Sequence, residues 1–227
     1  IENGIIYDGT GDKPYKGVVA ILNDKIIYVG KNKNFVANKV IDATDKAVSP
    51  GFINMLSWAY NSLMNDGRSL SDLKQGVTLE VFGEGTSPGP SGNIEDNTYV
   101  SFGEAMKELE DNGVSTNIAS YLGATTVRIQ EIGYKNRKAT DEEMESMRNI
   151  VRVAMEQGAI GIGSSLIYAP ADYADTNELI ELSKVASAYG GRYISHMRNE
   201  DSRTVSYTHL RAHETPEHRV CRIRDEK

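Results

Sequence analysis

Four polar clusters stand at or just past compact apolar runs, where a strand would end. Glu84 follows "GVTLEVFG", and Thr125 with Arg128 follows "VSTNIASYLG". Ser164, Ser165 and Tyr168 close "AIGIGSSL", and His196 with Arg198 closes "RYISHM". A carboxylate and an imidazole are competent ligands for a divalent cation, and such a cation supports hydrolysis by activating water. One such coincidence would mean little, but four argue for a pocket. The stretch "SPGFINMLSW" (49–58) has the same shape of a strand delivering ligands, yet it carries Leu56 and Trp58 and no histidine. Neither leucine nor indole can donate a lone pair to a metal.

These residues need strands to position them, and the spacing supplies them. Strand starts fall near 50, 77, 115, 159 and 192, leaving room for a crossover helix each time. A helix is predicted around "SFGEAMKELEDNG", stopped at Gly113, and another over "DEEMESMRNIVRVAMEQ", opened by a Thr140/Glu143 capping box and ended at Gly158. A third, "TNELIELSKVASAYGG", takes Thr176 as its N-cap. Repeated strand and helix units without a GxGxxG after the first strand favour an α/β barrel over a dinucleotide fold. The expectation is the first five strands of an incomplete (β/α)8 TIM barrel over 50–203. Residues 1–49 form a small β-sandwich module before it, in which Val18–Leu22 and Ile26–Val29 flank an Asn23-Asp24 hairpin turn.

The 227 residues, 39% hydrophobic and 25% charged, suit a soluble globular chain, cytoplasmic or periplasmic. A net charge of −7 argues against nucleic acid or an anionic membrane surface as partner. No apolar run approaches the roughly 18 residues of a membrane span. One cysteine, Cys221, excludes an internal disulfide framework. Starting on Ile1, almost inside a strand, the chain is expected to be a fragment whose N-terminus is missing. After Arg203 the composition shifts. His209 and His213, spaced i and i+4 with Glu214 beside them, resemble a helical zinc pair but lack the glutamate of HExxH. "VSYTHLRAHE" also resembles translated sequencing-adapter read-through, so 204–227 is expected to be a non-native tail.

Read together, these blocks resemble the amidohydrolase superfamily and, within it, the N-acyl-D-amino-acid deacylase (D-aminoacylase) group. "IENGIIYDGTG", "KIIYVG" and "VIDATDKAVSPGFI" look like the sandwich strands and the lead into the first barrel strand. "GAIGIGSSLIYAPADYADTNELIELSKVASAYGGRYISHMRNE" is similar to the segment in which a G-L-x-Y-x-P loop precedes a metal-binding S-H-x-R-x-E strand. The resemblance implies metal-dependent hydrolysis of a linear, non-peptide amide in a small-molecule N-acyl amino acid. Zinc or another divalent metal activates the water, and an aspartate beyond this chain moves the proton.

By that resemblance His196 is a metal ligand, and Glu84 falls on or next to the position of the family's metal-binding cysteine. Tyr168, with Ser165, lines the substrate pocket, and Arg128 sits where the family often has an arginine. Each residue also has a plainer role open to it: a core histidine, a solvated glutamate, a packing tyrosine, a structural ion pair. Asn54, Leu56 and Trp58 depart from the G-F-I-D-x-H-x-H strand, which leaves ligands for one metal per site and makes Trp58 an apolar wall. Losing those histidines equally allows a non-catalytic barrel kept as a binding or scaffold module. A cyclic-amide hydrolase or deaminase ranks behind both, since no lysine stands near Ser164 and Ser165. Without further strands the isolated chain is expected not to turn over substrate.

Overall fold

The computed structural model describes residues 1–31, 35–93 and 95–199. The chain divides into two compact units, Ile1–Phe52 and Ile53 onward. His209, His213, Glu214, Cys221, Glu200 and the whole of 204–227, expected to be a non-native tail, lie outside the described residues. No helix among those described is long and apolar enough to cross a membrane.

The first unit is a four-stranded sheet in the order β3-β2-β1-β4, made of β1 (Gly4–Ile6), β2 (Tyr15–Leu22), β3 (Lys25–Gly30) and β4 (Ala47–Val48). β2 and β3 are antiparallel, with Leu22 opposite Lys25. That register leaves Asn23-Asp24 as the two-residue turn expected from sequence. Asn23 takes φ +56°, a left-handed conformation that asparagine tolerates better than most residues.

The second unit alternates strands and helices: β5 (Phe52–Asn54), α1 (Tyr60–Asn65), α2 (Leu70–Lys74), β6 (Val77–Phe82) and α3 (Phe102–Asn112). Then follow β7 (Asn117–Ser120), β8 (Leu122–Gly123), α4 (Ala124–Ile132), α5 (Asp141–Glu156), β9 (Gly161–Ser165), a 3-10 turn (Ala171–Tyr173), α6 (Thr176–Ala188) and β10 (Arg192–His196). The strands form two sheets, β5-β6-β7 and β8-β9-β10. The pairs β6–β7, β8–β9 and β9–β10 are all parallel. Only Tyr121 separates β7 from β8, and its N–H donates to the Phe82 carbonyl at 2.9 Å. The strands therefore follow one another in chain order, an α/β arrangement.

Hydrophobic faces hold the layers together. Leu122 and Ile162 from the strands pack with Val127, Met147, Val151, Leu179 and Leu182 from α4, α5 and α6. Leu63, Phe82 and Leu109 make a smaller cluster between α1, β6 and α3. Burying each such side chain contributes roughly 1.5–3 kcal/mol.

The helix ends follow local chemistry. α3 stops at Gly113, whose φ is +82°. α5 opens on the full Thr140/Glu143 box, with Glu143 N–H donating to Thr140 Oγ1 at 3.2 Å and Thr140 N–H to Glu143 Oε2 at 2.8 Å. Arg137 pairs with the same carboxylate at 2.6 Å. Together they hold its pKa at about 2 rather than the ordinary 4.5. A depressed carboxylate contributes stability above its unfolded pKa, and that contribution is lost as pH falls toward the folded value. Urea midpoints followed from pH 6 down to pH 3 are thus expected to fall less steeply for Glu143→Gln than for the parent. Thr140→Ala should cost about 1 kcal/mol in the same assay.

One local expectation changes. The N-cap of α6 is Asp175, not Thr176: its carboxylate accepts from Glu178 N–H at 2.9 Å, so Thr176 becomes the first helical residue. Residues 124–132 are helical although "ATTV" is rich in β-branched side chains, because the helix buries Val127 and Ile132 against the core.

Candidate active site

Strands β5, β6, β8, β9 and β10 of the second unit end at one cavity, at their C-terminal ends. Leu56 and Trp58 lie just past β5, Glu84 just past β6 and Thr125 just past β8. Ser165 is the last residue of β9 and His196 the last of β10, and Tyr168 with Ala169 follows β9. The cavity, open to one side, has a volume of about 480 Å³, within the range of small-molecule sites.

Glu84 is aimed by its neighbours. Gly83 takes φ +94°, where a side chain would strain the backbone, and an added Cβ there would lie 2.0 Å from the Tyr121 carbonyl oxygen. Gly163 in β9 allows the same loop to press down on the sheet, since a Cβ on it would meet the Gly83 carbonyl oxygen at 2.0 Å. Ser165 Oγ then donates to the Glu84 carbonyl at 3.1 Å. The Glu84 carboxylate, 13% exposed, comes to 4.0 Å from His196 Nδ1. Burial pushes its pKa up, and the facing His196 partly offsets that. The Tyr168 ring lies tilted against the imidazole, 5.7 Å between centroids.

Arg198 stabilises the far wall from behind, with its guanidinium donating to the carbonyls of Asp172 and Ala174. A buried carboxylate steadies the near wall. Glu80, fully buried in β6, accepts from Ser57 Oγ and Ser69 Oγ at 2.7 Å each and from Thr116 Oγ1 at 3.0 Å. Ser57 stands between Leu56 and Trp58, so Glu80 ties down the turn that carries both.

The structure thus brings Glu84, His196, Ser165 and Tyr168 together and sets two expected polar residues elsewhere. Arg128 does not line the cavity. It lies on α4, fully buried, with Nη1 at 2.5 Å from Glu178 Oε2 and Nη2 donating to the carbonyls of Arg137 and Lys135. This is the structural ion pair, and it corrects the placement of Arg128 among substrate contacts. Ser164 is also turned away: its hydroxyl bonds Tyr193 OH at 2.6 Å and Ser195 Oγ at 2.9 Å. Glu80 escaped the sequence reading because it sits inside an apolar run; a lone charge in such a run was the available signal.

Glu84 offers oxygen and His196 nitrogen to the same space, a donor set suited to zinc or another first-row divalent ion. Among the described residues no three His, Cys, Asp or Glu side chains gather as a metal-holding group. The donors present fit a metal as two of its ligands.

In architecture the chain is similar to solved amidohydrolases. A crystal structure of a D-aminoacylase that defines a novel subset of amidohydrolases superposes with a TM-score of 0.82 at 28% identity, covering 92% of this chain and 47% of that one. Among sequences, the chain is similar to the D-aminoacylase of Alcaligenes xylosoxydans xylosoxydans, 29% identical over 219 residues, 91% of this chain and 45% of the relative. The N-acyl-D-aspartate deacylase of the same organism is 27% identical over 219 residues, 90% and 44% of the two chains. A D-aminoacylase studied for its binuclear metal centre, with activation by one metal and attenuation by a second, superposes at a TM-score of 0.81 with 28% identity, over 92% of this chain and 47% of that one. No family model matches. The chain spans less than half the length of these curated relatives.

Proposed function

We propose that this chain supplies the first five β/α units of a (β/α)8 barrel and, in residues 1–49, part of a β-sandwich. Its activity is metal-dependent hydrolysis of the linear amide of N-acyl-D-amino acids, with one divalent metal per site. The observation that carries the proposal is the approach of Glu84 and His196, from separate strands, to 4.0 Å in a cavity at the strand ends. The similarity to D-aminoacylases supports the substrate class, and the one-metal activation of such an enzyme supports the single ion.

Glu84 and His196 would hold the metal. When bound, a divalent ion lowers the pKa of water toward ~7 and polarises a carbonyl. Gly83 and Ser165 fix the direction of the Glu84 side chain, and Tyr168 restrains the imidazole by ring contact. Leu56 and Trp58 give the cavity an apolar flank that excludes water. Tyr168 and Ser165 contact the substrate.

The test is to load the full-length protein, with all eight β/α units, with zinc or cobalt, measure the metal by mass spectrometry, and follow hydrolysis of N-acetyl-D- and N-acetyl-L-amino acids. One metal per chain, D-selective release of the amino acid and loss of turnover on chelation are the expected results. Activity that survives complete metal removal, or saturable binding without turnover in the loaded full-length protein, would replace this proposal with a non-catalytic role.

A further inference from the structure

Glu80 is a fully buried carboxylate that no step of the proposed chemistry uses, and it stands behind one wall of the cavity. Burying a carboxylate is costly unless hydrogen bonds satisfy it. Three hydroxyls do so here. Ser69 Oγ and Thr116 Oγ1 both donate to Oε1, whereas Oε2 accepts from Ser57 Oγ.

Ser57 is where this network meets the cavity. It separates Leu56 from Trp58, both of which line the cavity, while its own side chain is given to Glu80. Its N–H donates to the Val81 carbonyl at 2.9 Å, and its Oγ accepts from Ala59 N–H at 3.3 Å. Asn54 holds the turn from its other end: Oδ1 accepts from Leu56 N–H at 3.2 Å, and Nδ2 donates to Asp72 Oδ1 at 3.3 Å. Leu56 and Trp58 are nonetheless 47% and 58% exposed, so the turn fixes them more than packing does. Apolar side chains held open on a fixed turn suit an apolar occupant. We propose that Glu80 is a positioning residue: through Ser57 it holds Leu56 and Trp58 as a preformed subsite for the apolar group of the substrate. The inference rests on the reading of the protein as an N-acyl-amino-acid hydrolase. The acyl chain and the amino-acid side chain are both sources of such a group, and the wall offers the same chemistry to either. A wall ordered beforehand spares the cost of ordering two side chains on binding.

The full-length protein is labelled with 5-fluorotryptophan, and the fluorine resonance of Trp58 is identified by its loss in Trp58→Phe. Metal-free protein, which keeps the compounds intact, is titrated with N-acetyl-D-leucine, N-hexanoylglycine and N-acetylglycine, and the resonance reports occupancy. Ser57→Ala should shift or broaden that resonance. It should weaken at least one of the two apolar compounds about tenfold and N-acetylglycine less than about twofold. Loss confined to N-acetyl-D-leucine assigns the wall to the side chain, and loss confined to N-hexanoylglycine assigns it to the acyl chain. Ser69→Ala and Thr116→Ala remove bonds to the same carboxylate but leave Ser57 in place. They should lower the melting temperature as Ser57→Ala does, while the resonance and all three affinities stay those of the parent. Ser57→Thr, which keeps the hydroxyl, should restore both. Where Ser57→Ala does not fold, Glu80→Gln takes its place: an amide nitrogen facing Ser57 accepts no hydrogen bond, and Trp58 should respond in the same way. An unchanged resonance or unchanged affinity for both apolar compounds overturns the inference. So do equal losses for all three compounds, equal effects of Ser57→Ala and Ser69→Ala, or a parent that binds none of them. The expected pattern in a protein that hydrolyses nothing when loaded with zinc keeps the positioning role and sinks the hydrolase reading. Turnover with Ser57→Ala and Ser69→Ala alike does the reverse.

Discussion

Replacing Arg128 with methionine is expected to remove about 3–5 kcal/mol of folding free energy, the usual cost of leaving one member of a buried ion pair alone. A domain's total stability is only about 5–15 kcal/mol, so this variant should sit near the edge of folding. The guanidinium is fully buried and bridges three elements. It pairs with Glu178 at the start of α6 and donates to the carbonyls of Lys135 and Arg137, which lead from α4 toward α5. Removing it strands a carboxylate whose pKa burial already pushes up, and frees two carbonyls. Replacing both partners, Arg128→Met with Glu178→Leu, should recover much of the loss, because a well-packed apolar pair substitutes for a buried ion pair at little cost. Urea midpoints of the two variants decide the matter. A normal midpoint for Arg128→Met, with weakened ligand binding, would return Arg128 to the substrate site.

The contrast between Arg128 and Glu84 shows how far sequence reading reaches. Both were picked out as polar residues after an apolar run. Glu84 follows its strand by two residues, and flanking glycines hold the chain in a loop facing the cavity. Arg128 follows by five, and by then the backbone has turned into α4. A helix rotates successive side chains about 100° apart, so distance past the strand no longer tells which way a side chain points. The Asn23-Asp24 turn and the Thr140/Glu143 cap were legible because the residues that make them are neighbours in sequence. So were the strands at 77 and 192, as compact apolar runs. The Glu80 cluster was hidden because Ser57, Ser69 and Thr116 come to it from three separate segments. The short helices α1 and α2 were hidden for a related reason: five or six residues carry too little periodicity to be seen.

Glu84→Gln and His196→Ala should each weaken metal binding at least about a hundredfold, since even residues that only orient a ligand affect affinity ten- to a hundredfold. The two variants fail for different reasons and so check each other. Glutamine preserves the shape of Glu84 and the Ser165 bond, which goes to the backbone carbonyl, so the cavity stays as built. Only the negative charge and one strong acceptor are gone. Without metal, Glu84→Gln should be no less stable than the parent at neutral pH, because it removes a carboxylate that burial disfavours. His196→Ala removes a donor and also the ring against which Tyr168 rests, so it should loosen that wall as well as lose the metal. Calorimetric titration of zinc into the two variants and the parent measures this directly. If Glu84→Gln binds zinc as tightly as the parent while His196→Ala does not, the carboxylate is a bystander and the ligand set must be sought among other side chains. If both bind normally, the cavity at the strand ends is not the metal centre, and the proposed hydrolysis has no place in it.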